Sequence, residues 1–125
     1  MRLAKFRLID LNTILKGNIV MRMWMVNPKT MCRNHLLGEH TECHMFVGAI
    51  SRGKNIKGYL DRGLLEVHNI QNRHNELAAE MLRRGYKHRS PMSFVSTNSG
   101  KIDSKQSKIQ LHSRCEKCKR LSLLT

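Results

Sequence analysis

Two helix-length apolar periodicities joined by a glycine-punctuated loop constrain most strongly how this chain can fold. Asn27-Pro28 is a helix-start signal, because asparagine can cap free amides and proline is preorganised for a first turn. From there Cys32, Leu36, Cys43, Val47 and Ile50 recur at spacings of four, seven, four and three, predicting a helix to about Ile50 with one buried stripe. A second helix is predicted from about Leu64 to Arg84, its apolar face traced by Val67, Ile70, His74, Leu77, Ala78, Met81 and Leu82. Glu80 and Arg84 can pair one turn apart, and Gly85 is suited to end the helix. Arg73, Arg83 and Arg84 lie mostly off that face and read as solvating it. Ser90-Pro91 then breaks the pattern, and 93–100 has loop composition. Residues 101–125 hold seven cations against two acids with only scattered apolar positions, consistent with either a short basic third helix or a partly disordered tail.

With 125 residues there is room for one domain with a modest core. Lysine and arginine outnumber aspartate and glutamate by 23 to 9, so the surface field attracts polyanions, of which nucleic acid is the commonest and an anionic membrane surface the other. No segment approaches the ~20 apolar residues of a membrane span. The first twenty residues make a poor signal peptide, since Asp10, Asn12, Lys16 and Asn18 interrupt their apolar run. The loop after the first helix carries Arg52, Lys54, Lys57 and Arg62 among Gly53, Gly58 and Gly63, a composition that suits phosphate contact as well as a solvated connector. It is not a Walker loop.

The chemistry-bearing residues cluster on the first helix. His35, Glu39, Glu42 and Phe46 follow one another at intervals of four, three and four and share a face. Two carboxylates and an imidazole beside apolar neighbours can have strongly shifted pKa values, although an ordinary surface face has the same spacing. A Glu/His metal site of the helix-bundle kind lacks its second Glu-x-x-His helix. Of the four cysteines, Cys115 and Cys118 have zinc-knuckle spacing on one side only, and Cys32 and Cys43 can complete a site only if the tail folds back onto the first helix. The reading adopted is a basic solvated tail with reduced thiols, no metal and no cofactor.

The stretch His35-Leu-Leu-Gly-Glu-His-Thr-Glu42, then Phe46-Val-Gly-Ala49, then Arg73-His-Asn-Glu-Leu-Ala-Ala-Glu-Met-Leu-Arg-Arg-Gly-Tyr86, resembles in order and spacing the pyrimidine-dimer DNA glycosylases of the phage endonuclease V kind. That resemblance implies a compact all-α single domain of two long helices and a short third, with the N-terminal segment threading between helices. It implies a DNA repair glycosylase with abasic-site lyase activity, acting on cyclobutane pyrimidine dimers through an imine to a chain-terminal amine. The catalytic carboxylate falls on Glu42, the helix histidine on His35 and the neighbouring glutamate on Glu39. Because the nucleophile is a terminal amine, the resemblance makes Met21 the expected start, with Met21 or, after trimming, Arg22 supplying the amine. Residues 1–20 are then a removable or mis-assigned extension, 21–92 the helical domain, and 93–125 a basic loop and tail. DNA contacts are expected from His35, Glu39, Arg33, Arg52, Lys54 and Lys57. The expected partner is double-stranded DNA carrying UV lesions or abasic sites, bound by a monomer with no membrane association, in the cytoplasm of a bacterial or virus-infected cell and associated with its nucleoid. A non-catalytic basic DNA-binding protein, either a degenerate relative or a small zinc-supported module, is the competing reading.

Overall fold

The computed structural model describes residues 21–125, so the extension expected over 1–20 lies outside the described residues. Five α-helices follow in order: α1 Arg33–Ser51, α2 Lys57–Asp61, α3 Ile70–Arg83, α4 Ser104–Arg114 and α5 Glu116–Leu124. Strands are absent among the described residues, and no helix there is long and apolar enough to cross a membrane. The fold is all-α, as expected.

Both long helices begin later than their periodicity suggests. Asn27 does cap, its Oδ1 accepting from the Lys29 amide at 3.0 Å, but what it caps is a short 3-10 turn, Pro28–Thr30. Met31 and Cys32 are extended, which buries Met31 completely and leaves Cys32 as the N-cap of α1. At the second helix, Leu64–Glu66 run extended beside two other segments. Leu64 O accepts from Met23 N at 2.9 Å, and Val67 N donates to Ser99 O at 2.8 Å. A 3-10 turn, Val67–Asn69, then leads into α3. At its far end α3 closes as read, with Gly85 at φ +86° and Tyr86 N donating to Met81 O at 2.9 Å.

The core is continuous from the N-terminal segment to the tail. Met23, Met31, Leu36, Cys43, Phe46, Leu65, Ile70 and Leu77 are fully buried together, and Ile102, Leu111 and Cys118 belong to the same cluster. α1 packs on α3, α4 on α5, and α5 on the Pro28–Thr30 turn. Residues 93–125 are therefore two packed helices after a pinned loop, not a solvated tail: Leu111 and Cys118 have no exposed surface. The segment 21–26 is threaded inside, with Arg22, Met23, Trp24 and Val26 all buried.

Loop 94–102 lies against the start of α3, and Gly100 makes the closest approach. Its φ is +90°, and a Cβ there would collide with the Leu65 carbonyl oxygen and lie 2.8 Å from a Leu60 methyl. At Gly85, also at positive φ, a Cβ would meet nothing within 4 Å. Gly85→Ala is thus expected to lose about 1 kcal/mol from conformation alone, and Gly100→Ala ~2 kcal/mol or more because backbone must also move. Urea denaturation of the two variants checks this, and equal losses would contradict it.

Candidate active site

The N-terminal segment is held at successive atoms, which fixes where its backbone nitrogens point. Trp24 O accepts a hydrogen bond from Ser107 Oγ of α4, and Met23 N is bonded to Leu64 O. Just upstream of these anchors, Arg22 N donates to Glu42 Oε1 at 2.9 Å. The Arg22 side chain is clamped separately: Nη1 donates to Gln110 Oε1 at 2.7 Å, Nη2 to Ser107 Oγ at 2.9 Å, and the guanidinium stacks 3.9 Å from the Trp24 ring centroid. Burial, and then repulsion from Arg114, brings its pKa down to about 10.

Glu42 sits in the middle of α1, partly covered, with Tyr59 nearby. Burial pushes its carboxyl up to about 8, against the opposing hydrogen bond from Arg22 N, and Glu39 adds to the rise. The same environment lifts the Tyr59 phenol, by burial first and then by Glu42. The Tyr59 ring in turn packs edge-on against Phe46, 5.0 Å between centroids. This is a carboxyl that can hold a proton at neutral pH, facing a main-chain nitrogen one residue from Met21.

Glu39, expected from the sequence among the DNA contacts, is instead sealed inside at 1 % exposure and offers no surface to a phosphate. Both its oxygens are taken by Arg73, Nε to Oε2 at 2.6 Å and Nη2 to Oε1 at 2.9 Å. Arg73 also reaches Val26 O at 2.9 Å and Glu76 Oε1 at 2.6 Å. Arg73 is 2 % exposed and does not solvate the helix as its position on the helical wheel suggests. It joins α1, α3 and the N-terminal segment, and nothing at a separation of 34 residues announces such a pair. Arg84 likewise turns inward, donating to Glu80 Oε2, Pro28 O and Met31 O, so it braces the turn before α1.

The remaining expected contacts divide between the two ends of α1. Arg33 is exposed at the first turn, its guanidinium 5.3 Å from the Tyr86 ring. Arg52, Lys54 and Lys57 are exposed beyond the last turn, Lys57 paired with Asp61 at 2.5 Å. At 1.5 Å per residue these ends are about 27 Å apart, with Glu42 midway. His35 is half-buried, edge-on to Trp24 at 5.9 Å, with Nδ1 turned 3.3 Å from Cys32 Sγ.

Among the described residues, two groups of side chains have the composition and proximity to hold a metal: Cys32, His35, Cys115 and Cys118, and His40, His44 and His74. The sequence suggests Cys32 and Cys43 as the partners of the tail cysteines, but Cys43 is buried in the core elsewhere. The overlooked signal is the matching spacing of Cys32-x-x-His35 and Cys115-x-x-Cys118.

In the imidazole group, His40 packs against His44, His74 and His88, with His40 Nε2 buried and without a hydrogen-bond partner. Both His44 Nε2 and His74 Nε2 lie at hydrogen-bond distance from Ser90 O. Burial, then the neighbouring His74, His88 and His44, drives the His40 pKa from 6.5 down to about 4, and His44 is lowered for like reasons. As pH falls through 6.5 the unfolded chain takes up a proton that folded His40 refuses, so His40 destabilises the fold progressively towards pH 4, with His44 acting in the same direction. Glu42 acts in the opposite sense: its raised pKa makes folding less favourable as pH rises from 4.5 towards 8. In a Glu42→Gln background, stability is therefore expected to fall as pH drops from 6.5 to 4.5, as read by urea midpoints. A flat profile there would refute the lowering at His40 and His44.

Comparison with known proteins bears on this arrangement. A family model described as pyrimidine dimer DNA glycosylase matches residues 21–94. No curated protein and no solved structure shows significant similarity to the chain.

Proposed function

The chain belongs to the pyrimidine dimer DNA glycosylase family, and from that premise we propose that it is a DNA repair glycosylase whose nucleophile is a chain-terminal amine beside Glu42, with abasic-site lyase activity at the same site. One observation carries the reading: the backbone nitrogen of Arg22 lies 2.9 Å from Glu42 Oε1. In a chain started at Met1 that nitrogen is an amide, whose lone pair is delocalised and not nucleophilic. In a chain beginning at Arg22 it is a primary amine, with a pKa of about 7.7–8.0 that leaves a useful fraction unprotonated at neutral pH. A chain beginning at Met21 carries its amine one residue upstream, within ~3.8 Å along the backbone.

The chemistry runs in two stages. The amine attacks C1′ of the 5′ nucleotide of the dimer, the N-glycosidic bond breaks, and the base leaves with the bonding electrons. Opening of the sugar gives an imine between C1′ and the chain terminus. Glu42 assists by stabilising positive charge on the sugar and by moving protons. Burial pushes its carboxyl up to about 8 where residue 22 N is an amide; a protonated amine in that place would draw the carboxyl back down, so the pair can exchange a proton through their contact. The imine acidifies the C2′ proton, whose removal expels the 3′ phosphate and cuts the strand. Water then releases the amine. Arg33 at one end of α1 and Arg52, Lys54 and Lys57 at the other are assigned to the DNA backbone.

Borohydride trapping tests the reading directly, with protein started at Met1 and at Met21 on duplexes carrying a pyrimidine dimer or an abasic site. A covalent adduct is expected from the Met21 form, mapping by mass spectrometry to residue 21 or 22. An equal adduct from protein with an intact Met1, or none from either form, would overturn it. With no adduct from either form, the basic, non-catalytic DNA-binding reading would stand.

A further inference from the structure

We propose that Cys32, His35, Cys115 and Cys118 form a structural Zn²⁺ site that fastens the last two helices to the start of α1. The four donor atoms all lie within 4.8 Å of one another. Cys32 Sγ is 3.8 Å from Cys115 Sγ and 3.3 Å from His35 Nδ1, and Cys118 Sγ is 3.7 Å from the same His35 nitrogen. Tetrahedral zinc, with Zn–S of about 2.3 Å and Zn–N of about 2.0–2.1 Å, requires edges of roughly 3.8 Å between sulfurs and 3.5 Å between sulfur and nitrogen. The observed spacings match a tetrahedron and far exceed the ~2.05 Å of a disulfide, and all four cysteines are free.

The local structure explains why these donors converge. Cys32 is the N-cap of α1 and Cys115 the N-cap of α5, so each supplies one ligand from the cap and another three residues on, within the same first turn. Thiolates need amide donors and positive surroundings. Cys32 N donates to Cys118 Sγ at 3.2 Å, Cys118 N donates to Cys115 Sγ at 3.4 Å, and two helix N-termini face the group. Three thiolates and one neutral imidazole around Zn²⁺ leave a net charge of about −1, in a stretch that carries Arg114, Lys117, Lys119 and Arg120. Four protein donors close the coordination shell, so the ion has no open position for substrate and acts structurally.

The site is separate from Glu42 but adjoins the wall that positions Arg22. α4 supplies Ser107 and Gln110 to the Arg22 guanidinium and leads directly into Cys115, while the His35 ring packs on Trp24. A metal at this corner ties α4 and α5 to the start of α1, beside the hydrogen bonds by which Ser107 and Gln110 hold the Arg22–Trp24 segment.

The test is metal analysis of the full chain purified from zinc-supplemented cells, followed by cobalt replacement. About one zinc per chain is expected, and the cobalt form should show thiolate-to-metal charge transfer and the visible bands of a tetrahedral site. Cys118→Ser is expected to fall below about a tenth of an equivalent, whereas Cys43→Ser keeps its zinc. His35→Cys, which retains four donors, should bind metal with cobalt bands shifted to the four-thiolate pattern. That shift separates a liganding His35 from one that merely supports the fold, even if Cys118→Ser does not fold. A folded chain without zinc, undiminished zinc in Cys118→Ser, unshifted bands in His35→Cys, or a native Cys115–Cys118 disulfide would each defeat the proposal.

Discussion

Glu42→Gln is expected to lower strand-cleavage turnover by roughly 10²–10⁴-fold, the range that general acid–base groups contribute, while leaving DNA affinity nearly unchanged. Glutamine keeps the shape and can still accept the hydrogen bond from residue 22, but it can neither give nor take a proton at neutral pH. It also cannot balance positive charge on the sugar. Because Glu42 is buried enough to be pushed up to about 8, the amide is a tolerable occupant of that position, and the fold should survive. Single-turnover cleavage of an abasic-site duplex, run beside a binding measurement, separates the two effects. Unaltered turnover would remove Glu42 from the mechanism, and a parallel loss of binding would place it in recognition.

Arg73→Ala is expected to destabilise the protein by about 3–5 kcal/mol, the cost of stranding a buried charge. Glu39 would keep its carboxylate at 1 % exposure with both guanidinium bonds gone, and Val26 O would lose a donor. Burial opposes the charge on Arg73, yet the hydrogen bonds and charge of Glu39, then of Glu76, hold its pKa above the usual value. Removing both charges with Glu39→Leu and Arg73→Met should cost less than the single change, because no uncompensated ion remains. Urea midpoints of the three variants decide the matter. A loss under ~1 kcal/mol for Arg73→Ala would mean that water reaches Glu39.

What is legible in the sequence follows how many buried positions each element contributes. α1 and α3 bury five and seven residues, enough to trace a face, and the periodicity finds both. α4 buries only Ser107 and Leu111, and α5 only Cys118, too few to set a period among lysines and serines. The predicted start at Leu64 lies ahead of the first residue of the apolar face, Val67, and the residues before it are not helical. Glu42 is identified by resemblance; its contact to Arg22 N joins positions 20 apart. The role of Arg73 is invisible because guanidinium groups are seldom buried, and only a carboxylate brought from another helix makes it possible.

The anchoring of residues 22–24 also bears on rate. A nucleophile on a frayed chain end would have to be captured and aligned at every turnover, and short chain ends are ordinarily poorly ordered. Here the hydrogen bonds at Met23 N and Trp24 O and the clamp on the Arg22 side chain restrict that search before DNA arrives. The alignment entropy is lost once, during folding. Under the proposed mechanism, a terminal amine placed there would act at an effective molarity that well-oriented intramolecular groups can raise to about 10⁵–10⁸ M.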